Sequence, residues 1–197
     1  MISLNEMALN YNCSYPTRPP LIVHGNWLYG CWMIGNDYKN KSKFYGAYPA
    51  SYLQRLESMF GSFDNYKILH LFSGSLPKSD NYIRFDMVQD ADVQGDAEEL
   101  SQYFKENTFD IILADPPYTF EDAEKYTTPM VNRKKVLSEC SKILKPGGYL
   151  VWLDCSLPMH KKQELLMRGF ISLVRSTQHR FRLVAFFKKP EAINTLI

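Results

Sequence analysis

Asp115-Pro-Pro-Tyr118 ends an apolar run, Phe109-Asp-Ile-Ile-Leu-Ala114, with a carboxylate, two prolines and an aromatic ring. Proline has no N–H for a sheet ladder, so regular pairing stops where Asp115 begins. The run reads as a buried strand with an acid at its tip. In an open parallel α/β sheet, the carboxyl ends of the strands are where ligands bind and where reacting groups gather. Upstream segments end in a related way. Lys67-Ile-Leu-His-Leu-Phe72 runs into the small-residue turn Ser73-Gly-Ser75, Ile83-Arg-Phe-Asp86 ends in an acid, and Asp92-Val-Gln-Gly-Asp-Ala97 supplies Asp96. Glycine at 74 permits a close backbone approach to a ligand, and an acid beyond such a turn can take the two hydroxyls of a ribose. These strand ends describe a nucleoside site.

The elements that must hold this site follow from patterning. Residues 1–20, with Pro16, Pro19 and Pro20 among polar positions, predict an irregular arm. Leu21 to Ile34 predicts two short strands around His24-Gly-Asn26, a flap that either packs or touches substrate. Lys39, Lys41 and Lys43 stand among Asn and Ser, as a solvated loop or a phosphate-contacting patch. Pro49 suits a first helical turn, and Leu53, Leu56 and Phe60 recur at helical spacing. Only Leu76 to Tyr82 separate the glycine turn from the next strand, too few for the usual helical crossover, so that helix is expected to be vestigial or absent. Glu98 to Asn107 predicts a helix. Thr119 to Asn132 predicts a long polar loop, either a lid or a surface insertion. Arg133 to Leu144 predicts a helix stopped by Lys145-Pro-Gly-Gly148, followed by strand Tyr149 to Leu153. Met159 to Arg168 predicts a helix capped by Gly169, and Phe170 to Val174 with Phe181 to Phe187 a closing hairpin around 176–180.

At 197 residues, 45% hydrophobic and 22% charged, the chain suits one domain: residues 1–44 as arm and flap, 45–190 as core. Lysine and arginine number 23 against 21 acids, a net +2, so nucleic-acid binding would rest on a local patch. The four cysteines make no C-x-x-C pair, and no basic leader or long apolar run appears. The expectation is a soluble, reducing, cytoplasmic setting without membrane contact. Cys13, His24 and Cys31 match no zinc spacing, so no metal is expected.

The sequence resembles the class I S-adenosylmethionine-dependent methyltransferases from Tyr45 to Lys188. His70-Leu-Phe-Ser-Gly-Ser75 is similar to their first motif, Asp86 to the ribose-binding acid, Gly95-Asp-Ala97 to the acid that reads the cofactor's adenine, and Lys145-Pro-Gly-Gly-Tyr-Leu-Val151 to the entry of the fifth strand. Asp115-Pro-Pro-Tyr118 resembles the signature of amino-methyltransferases, above all those acting on adenine in DNA. The resemblance implies a Rossmann-like α/β sheet, mostly parallel with a C-terminal antiparallel hairpin strand and helices on both faces. It implies S-adenosylmethionine held by His70, Phe72, Ser73, Gly74, Asp86, Asp96, Ala97 and Asp115, and catalysis by Asp115, Pro116, Pro117 and Tyr118.

The chemistry agrees with that signature. The lone pair of an exocyclic amine is delocalised into its ring. Asp115 and the Pro116 carbonyl, each accepting one amine hydrogen, would aim the lone pair outward, while the prolines stiffen the turn. Tyr118 would stack on the base, worth about 1–3 kcal/mol. A base within a duplex is out of reach, so the target is single-stranded or flipped. DNA is the expected partner before RNA, whose guanine amino-methyltransferases carry a similar turn. The chain departs from the family pattern in lacking the second glycine of the first motif and the helix after it, which leaves the grip on the cofactor's methionine end undefined. A reading from another class is an inert methyltransferase fold serving as a nucleic-acid-binding subunit. There is no room for a separate recognition domain, so sequence selection would fall to the flap, the loop after Tyr118, a second copy or a partner subunit.

Overall fold

The structure is a computed structural model describing residues 1–35, 48–175 and 181–191. The strands are β1 (Ile22–His24), β2 (Trp27–Ile34), β3 (Ile68–Leu71), β4 (Tyr82–Asp86), β5 (Val93–Gln94), β6 (Phe109–Ala114), β7 (Leu144–Asp154), β8 (Leu166–Arg175) and β9 (Phe181–Lys188). The helices are α1 (Leu4–Ser14), α2 (Tyr52–Phe60), α3 (Phe120–Lys125) and α4 (Arg133–Ile143). All the described strands join one sheet in the order β5-β4-β3-β6-β7-β9-β8-β2-β1. From β5 through β7 every pairing is parallel. β9 then lies antiparallel between β7 and β8, the hairpin strand the sequence predicts. The α/β, Rossmann-like sheet of the sequence reading is therefore present.

The central strands are apolar on both sides because both faces are covered. On one face Ile111 and Leu113 of β6 pack with Leu56, Met59 and Phe60 of α2 and Met7 and Tyr11 of α1. On the other, Ile112 and Ala114 pack with Val136, Leu137 and Cys140 of α4. Alternate residues of one strand thus serve two cores. The end of β6 is fixed from both sides, which fixes where Asp115 emerges.

The crossover between β3 and β4 has no helix among residues 75–81, as its length requires. Arg84, a buried cation in β4, holds that segment instead. Its guanidinium pairs with Asp92 at 3.1 Å and donates to the carbonyls of Leu76 and Asp90, while the Tyr82 hydroxyl donates to the Pro77 carbonyl. Charge-assisted bonds to backbone carbonyls do the work a crossover helix does elsewhere.

Several expectations are corrected. Residues 1–20 are not an irregular arm, because Ser3 and Glu6 form a reciprocal capping box that starts α1 despite the later prolines. The hairpin β1–β2 is present but extends the sheet through β8, with Leu28, Trp32 and Ile34 buried, so it packs. The α2 helix begins at Tyr52, three residues past Pro49. Glu98 to Asn107 is not an α-helix: a 3-10 stretch, Ala97–Gln102, is broken at Glu99. The polar segment after Tyr118 opens with α3, capped by the Thr119 hydroxyl. Lys145-Pro-Gly-Gly148 is not a stop between elements but lies inside β7, at the irregular register between Phe109 and Ile111 of β6. Met159 to Arg168 is no helix either. β8 begins at Leu166, where antiparallel pairing to β9 overrides helical spacing. The lysine patch at 39–43 and the turn at 176–180 lie outside the described residues.

Gly169 shows why β8 wins. Its φ is +138°, and a Cβ there would stand 2.0 Å from the Leu28 carbonyl oxygen across the β2–β8 ladder. The glycine is a point of close strand approach rather than a helix cap. Gly169→Ala is expected to lower unfolding stability by at least about 3 kcal/mol, since strain and clash add. Urea denaturation checks this; a loss under about 1 kcal/mol would show that β2 can move aside.

Candidate active site

Beyond the carboxyl ends of β3, β4 and β6 lies a cavity of about 390 Å³. Its wall includes Phe72 and Gly74 after β3, Asp86 to Gln89 after β4, Gly95 to Glu98 after β5, and Asp115 to Tyr118 after β6. The volume lies within the roughly 300–1,000 Å³ usual for small-ligand sites. Tyr48, Pro49 and Ala50 close one side, residues from Asp122 to Val131 another, and Arg175 and Arg182 stand on the wall where β8 and β9 meet it.

The turn after β6 is fixed by α4 and the end of β7. Arg133, in the first turn of α4, bonds Asp154 at 2.6 Å through Nε and at 3.3 Å through a terminal nitrogen. The same nitrogen donates to the carbonyls of Pro117 at 3.3 Å and Tyr118 at 3.1 Å. Asp154 is fully buried. It also accepts from the Trp152 indole and the backbone N–H groups of Cys155 and Ser156. One guanidinium therefore ties the Pro-Pro-Tyr backbone to the next strand's end. It takes the Pro117 and Tyr118 carbonyls and not that of Pro116.

Asp115 faces the cavity, and the Tyr118 hydroxyl donates to its Oδ1. The Arg182 guanidinium lies over the Tyr118 ring, 4.7 Å from its centroid. Burial pushes the Asp115 carboxyl up to about 6, with Asp154 adding to the rise and the positive charge of Arg182 and the Tyr118 hydrogen bond opposing it. Burial, with Asp115 beside it, holds the Tyr118 phenol well above its ordinary value. At neutral pH the site thus presents an ionised acceptor bonded to a neutral phenol through Oδ1, which leaves Oδ2 outside that bond.

On the nucleoside side, Asp86 Oδ2 accepts from Gly74 N–H at 3.0 Å and its Oδ1 from Val88 and Gln89 N–H, each at 3.0 Å. The acid thus folds two strand-end loops around one carboxylate and keeps acceptor capacity on Oδ2. Asp96 caps the 3-10 stretch through Oδ1 to Glu98 N–H at 2.8 Å, its other oxygen unused by that cap. Ala97 lines the same wall. Phe72 and Gly74 both hold left-handed backbone conformations, φ +57° and +53°, which bend the chain sharply at the strand end. Two acids with spare acceptor atoms beside Phe72, Met87 and Val88 suit a ribosyl-adenine group, so these residues fit the cofactor that the sequence reading names.

Two predicted cofactor residues do not line the cavity. His70 is buried within β3, its Nδ1 3.2 Å from the Tyr48 hydroxyl and its ring against Tyr82. Burial drops its pKa to about 3, so it is neutral packing that props Tyr48. Ser73 points inward, its buried hydroxyl without a partner. Among the described residues, no group of three or more His, Cys, Asp or Glu could hold a metal ion, and no helix is long and apolar enough to cross a membrane.

Arg133, Asp154, Arg182 and Tyr48 escaped the sequence reading. Asp154 carries a signal like that of Asp86 and Asp115, an acid ending an apolar strand. Arg182 is a lone cation inside Phe181-Arg-Leu-Val-Ala-Phe-Phe187. Arg133→Ala would leave Asp154 buried without its partner. The expected cost is about 3 kcal/mol of unfolding stability, the low end for a broken buried pair because Arg133 is partly exposed. A double-mutant cycle with Asp154→Asn should recover part of that loss; strict additivity would show the pair is uncoupled.

Residues 92–189, just under half of the chain, match the family model described as a methyltransferase domain. A comparison with curated proteins finds no match. Among solved structures, the chain is similar to TrmN from Thermus thermophilus at 17% identity, covering 63% of this chain and 44% of that one, with a TM-score of 0.44. It is similar to a SAM-dependent methyltransferase from Methanosarcina mazei at 12% identity, covering 65% and 94%, TM-score 0.44. It is also similar to SMU.776, assigned as a methyltransferase and complexed with SAH, at 14% identity, covering 87% and 56%, TM-score 0.48. The chain thus spans less than half the length of TrmN. Residues 92–189 thus match a methyltransferase domain model, over a stretch that includes the Asp115 to Tyr118 turn and the strands that flank it.

Proposed function

We propose that this domain methylates the exocyclic amine of a nucleobase, with adenine in DNA as the first acceptor. The observation that carries the reading is the Asp115 carboxylate, an ionisable acceptor at the end of β6, in one cavity with Asp86 and Asp96. The cofactor, when bound, supplies an electrophilic methyl group. The protein's task is to hold the amine so that its lone pair points away from the ring. Asp115 Oδ2 takes one amine hydrogen. The Pro116 carbonyl, on a turn stiffened by two prolines and anchored by Arg133, takes the other. With both N–H bonds engaged, the nitrogen is drawn toward a tetrahedral arrangement and its lone pair is exposed to the methyl donor.

Tyr118 offers its ring to the base. Arg182 covers one face, so the base has the other. A base reaches Asp115 on the wall of this cavity only from a single strand or flipped from a duplex. Asp86 and Asp96 would hold the cofactor's ribose and adenine. The acids at the strand ends and the Asp115 to Tyr118 turn support an enzyme rather than an inert binding fold, because an inert fold has no physical need for a partly desolvated acid on a cavity wall. Selection of a site would come from the segment after Tyr118, a second copy or a partner subunit; the chain's nucleic-acid partner and its cytoplasmic setting belong to the same proposal.

Labelled-methyl transfer to DNA and to RNA, with nucleoside analysis of the product, tests the reading. N6-methyladenine in DNA is the expected product, and methylation confined to guanine or to protein would sink it. Asp115→Asn should slow transfer by about a hundredfold or more while leaving cofactor affinity within a few-fold. Because the ionised carboxylate is the acceptor, the wild-type rate should plateau at neutral and alkaline pH, be about half-maximal near pH 6 and fall further below it, as Asp115 gains its proton. A rate unchanged down to pH 5 would place the essential charge elsewhere.

A further inference from the structure

Arg182 belongs to no motif. It comes from the start of β9, next to Leu183, which pairs with Asp154 at the end of β7, so the antiparallel strand carries it to the same strand ends as Asp115. Its guanidinium carbon sits over the Tyr118 ring, 4.7 Å from the centroid, and its Nε is buried without a hydrogen-bond partner. A buried Nε without a partner has given up solvation at that atom, and the visible return is the ring face and the nearby carboxylate. The Tyr118 backbone is held separately, by Arg133 on its carbonyl. Backbone and ring are thus gripped by two different arginines, and the ring's hydroxyl ends on Asp115 Oδ1.

We infer that Arg182 is a positioning residue for Asp115: lying on the Tyr118 ring, it orients the phenol toward Oδ1, keeps Oδ2 for the methyl acceptor and holds the carboxylate in its charged form. The inference rests on the reading of Asp115 as the amine's acceptor. It assigns to β9 a role in the chemistry, carried through Tyr118 and not by contact with the base. The charge logic has few other contributors. Asp115 is faced by the Tyr118 phenol from its own turn, by Asp154 from β7, by Tyr48 and Tyr52 from the segment entering α2 and from α2 itself, and by Arg182 from β9. Arg133 of α4 is engaged with Asp154 and the turn carbonyls, and Arg175 stands on the cavity wall. The tyrosines are neutral through the working range, since burial holds both phenols well above their ordinary values. Asp154 opposes ionisation of Asp115, while Arg182 is the cation that favours it. An opposite charge within reach typically moves a carboxyl by about 1–3 pH units.

The titration midpoint of Asp115 can be read directly by carboxyl carbon NMR, with Asp115→Asn identifying the resonance. In the wild type it is expected near 6. Arg182→Met, which keeps an apolar stem but no charge, should raise it by roughly one unit or more, and Arg182→Lys should keep it near the wild-type value. The acid limb of the rate profile should move by the same amount. An unmoved midpoint in Arg182→Met overturns the inference. Should that variant not fold, Tyr118→Phe serves instead: losing the hydroxyl that bonds Oδ1 should raise the midpoint, and no change there overturns it equally. The titration does not depend on which base is methylated. An Asp115→Asn enzyme with wild-type turnover would defeat the acceptor reading, while a silent Arg182 titration with an inactive Asp115→Asn defeats only the role of Arg182.

Discussion

The candidate site depends on one buried ion pair. Asp154 at the end of β7 lies out of reach of water, and a charge there is tolerable only because Arg133 and three N–H donors from Trp152, Cys155 and Ser156 surround it. Arg133 in turn has donors left over, and it spends them on the carbonyls of Pro117 and Tyr118. A turn containing two prolines contributes few N–H groups to a hydrogen-bond network, so it must be held by its carbonyls. The pairing solves both needs with one side chain: it neutralises a buried acid and anchors a backbone that has little means of anchoring itself.

A second carboxylate organises the other half of the cavity by the same economy. Asp86 gathers N–H groups from Gly74, Val88 and Gln89, so two strand-end loops converge on it. With no helix between β3 and β4, the glycine turn is otherwise held by the Ser73 N–H on the Phe85 carbonyl and the Leu76 N–H on the Ser73 carbonyl. Arg84 completes the arrangement from beneath, bonding Asp92 and the carbonyls of Leu76 and Asp90. The cofactor wall is built from side chains bonding loops. This explains how a crossover of so few residues can still present Phe72 and Gly74 to the cavity. His70 and Ser73, which the first-motif resemblance put on this wall, sit a layer deeper.

What could be read from the sequence was whatever is dictated locally. The strand that ends at Ala114, the acids at Asp86, Asp96 and Asp115, and the missing helix after Ser75 each follow from a few adjacent residues, and the structure brings these acids to one cavity. The helix expected at Met159 to Arg168 is absent because β8 is decided by its neighbours β2 and β9, and Gly169 is a point of strand contact and not a cap. The capping box of Ser3 and Glu6 starts α1 ahead of the prolines, which lie beyond the helix. Arg133 and Arg182 were invisible for a different reason. Each acts on a residue distant in sequence, and only the α4–β7 and β9–β7 junctions bring them to the turn.

The site also resolves a conflict between two demands on Asp115. The half-buried position of Asp115 limits water where an amine must be held in one geometry, and it strengthens the hydrogen bonds made there. The same burial drives the carboxyl toward its protonated, weaker-accepting form, and the nearby charge of Asp154 drives it further. An exposed acid would stay ionised but would bind water in place of an amine. The structure keeps the burial and counters its effect locally, with a phenol donating to Oδ1 and a guanidinium on the ring that carries the phenol. Tyr118 serves both demands at once, since its ring walls the cavity while its hydroxyl stabilises the charge. The tyrosine of the turn is thus as much a part of the acceptor as of the stacking surface.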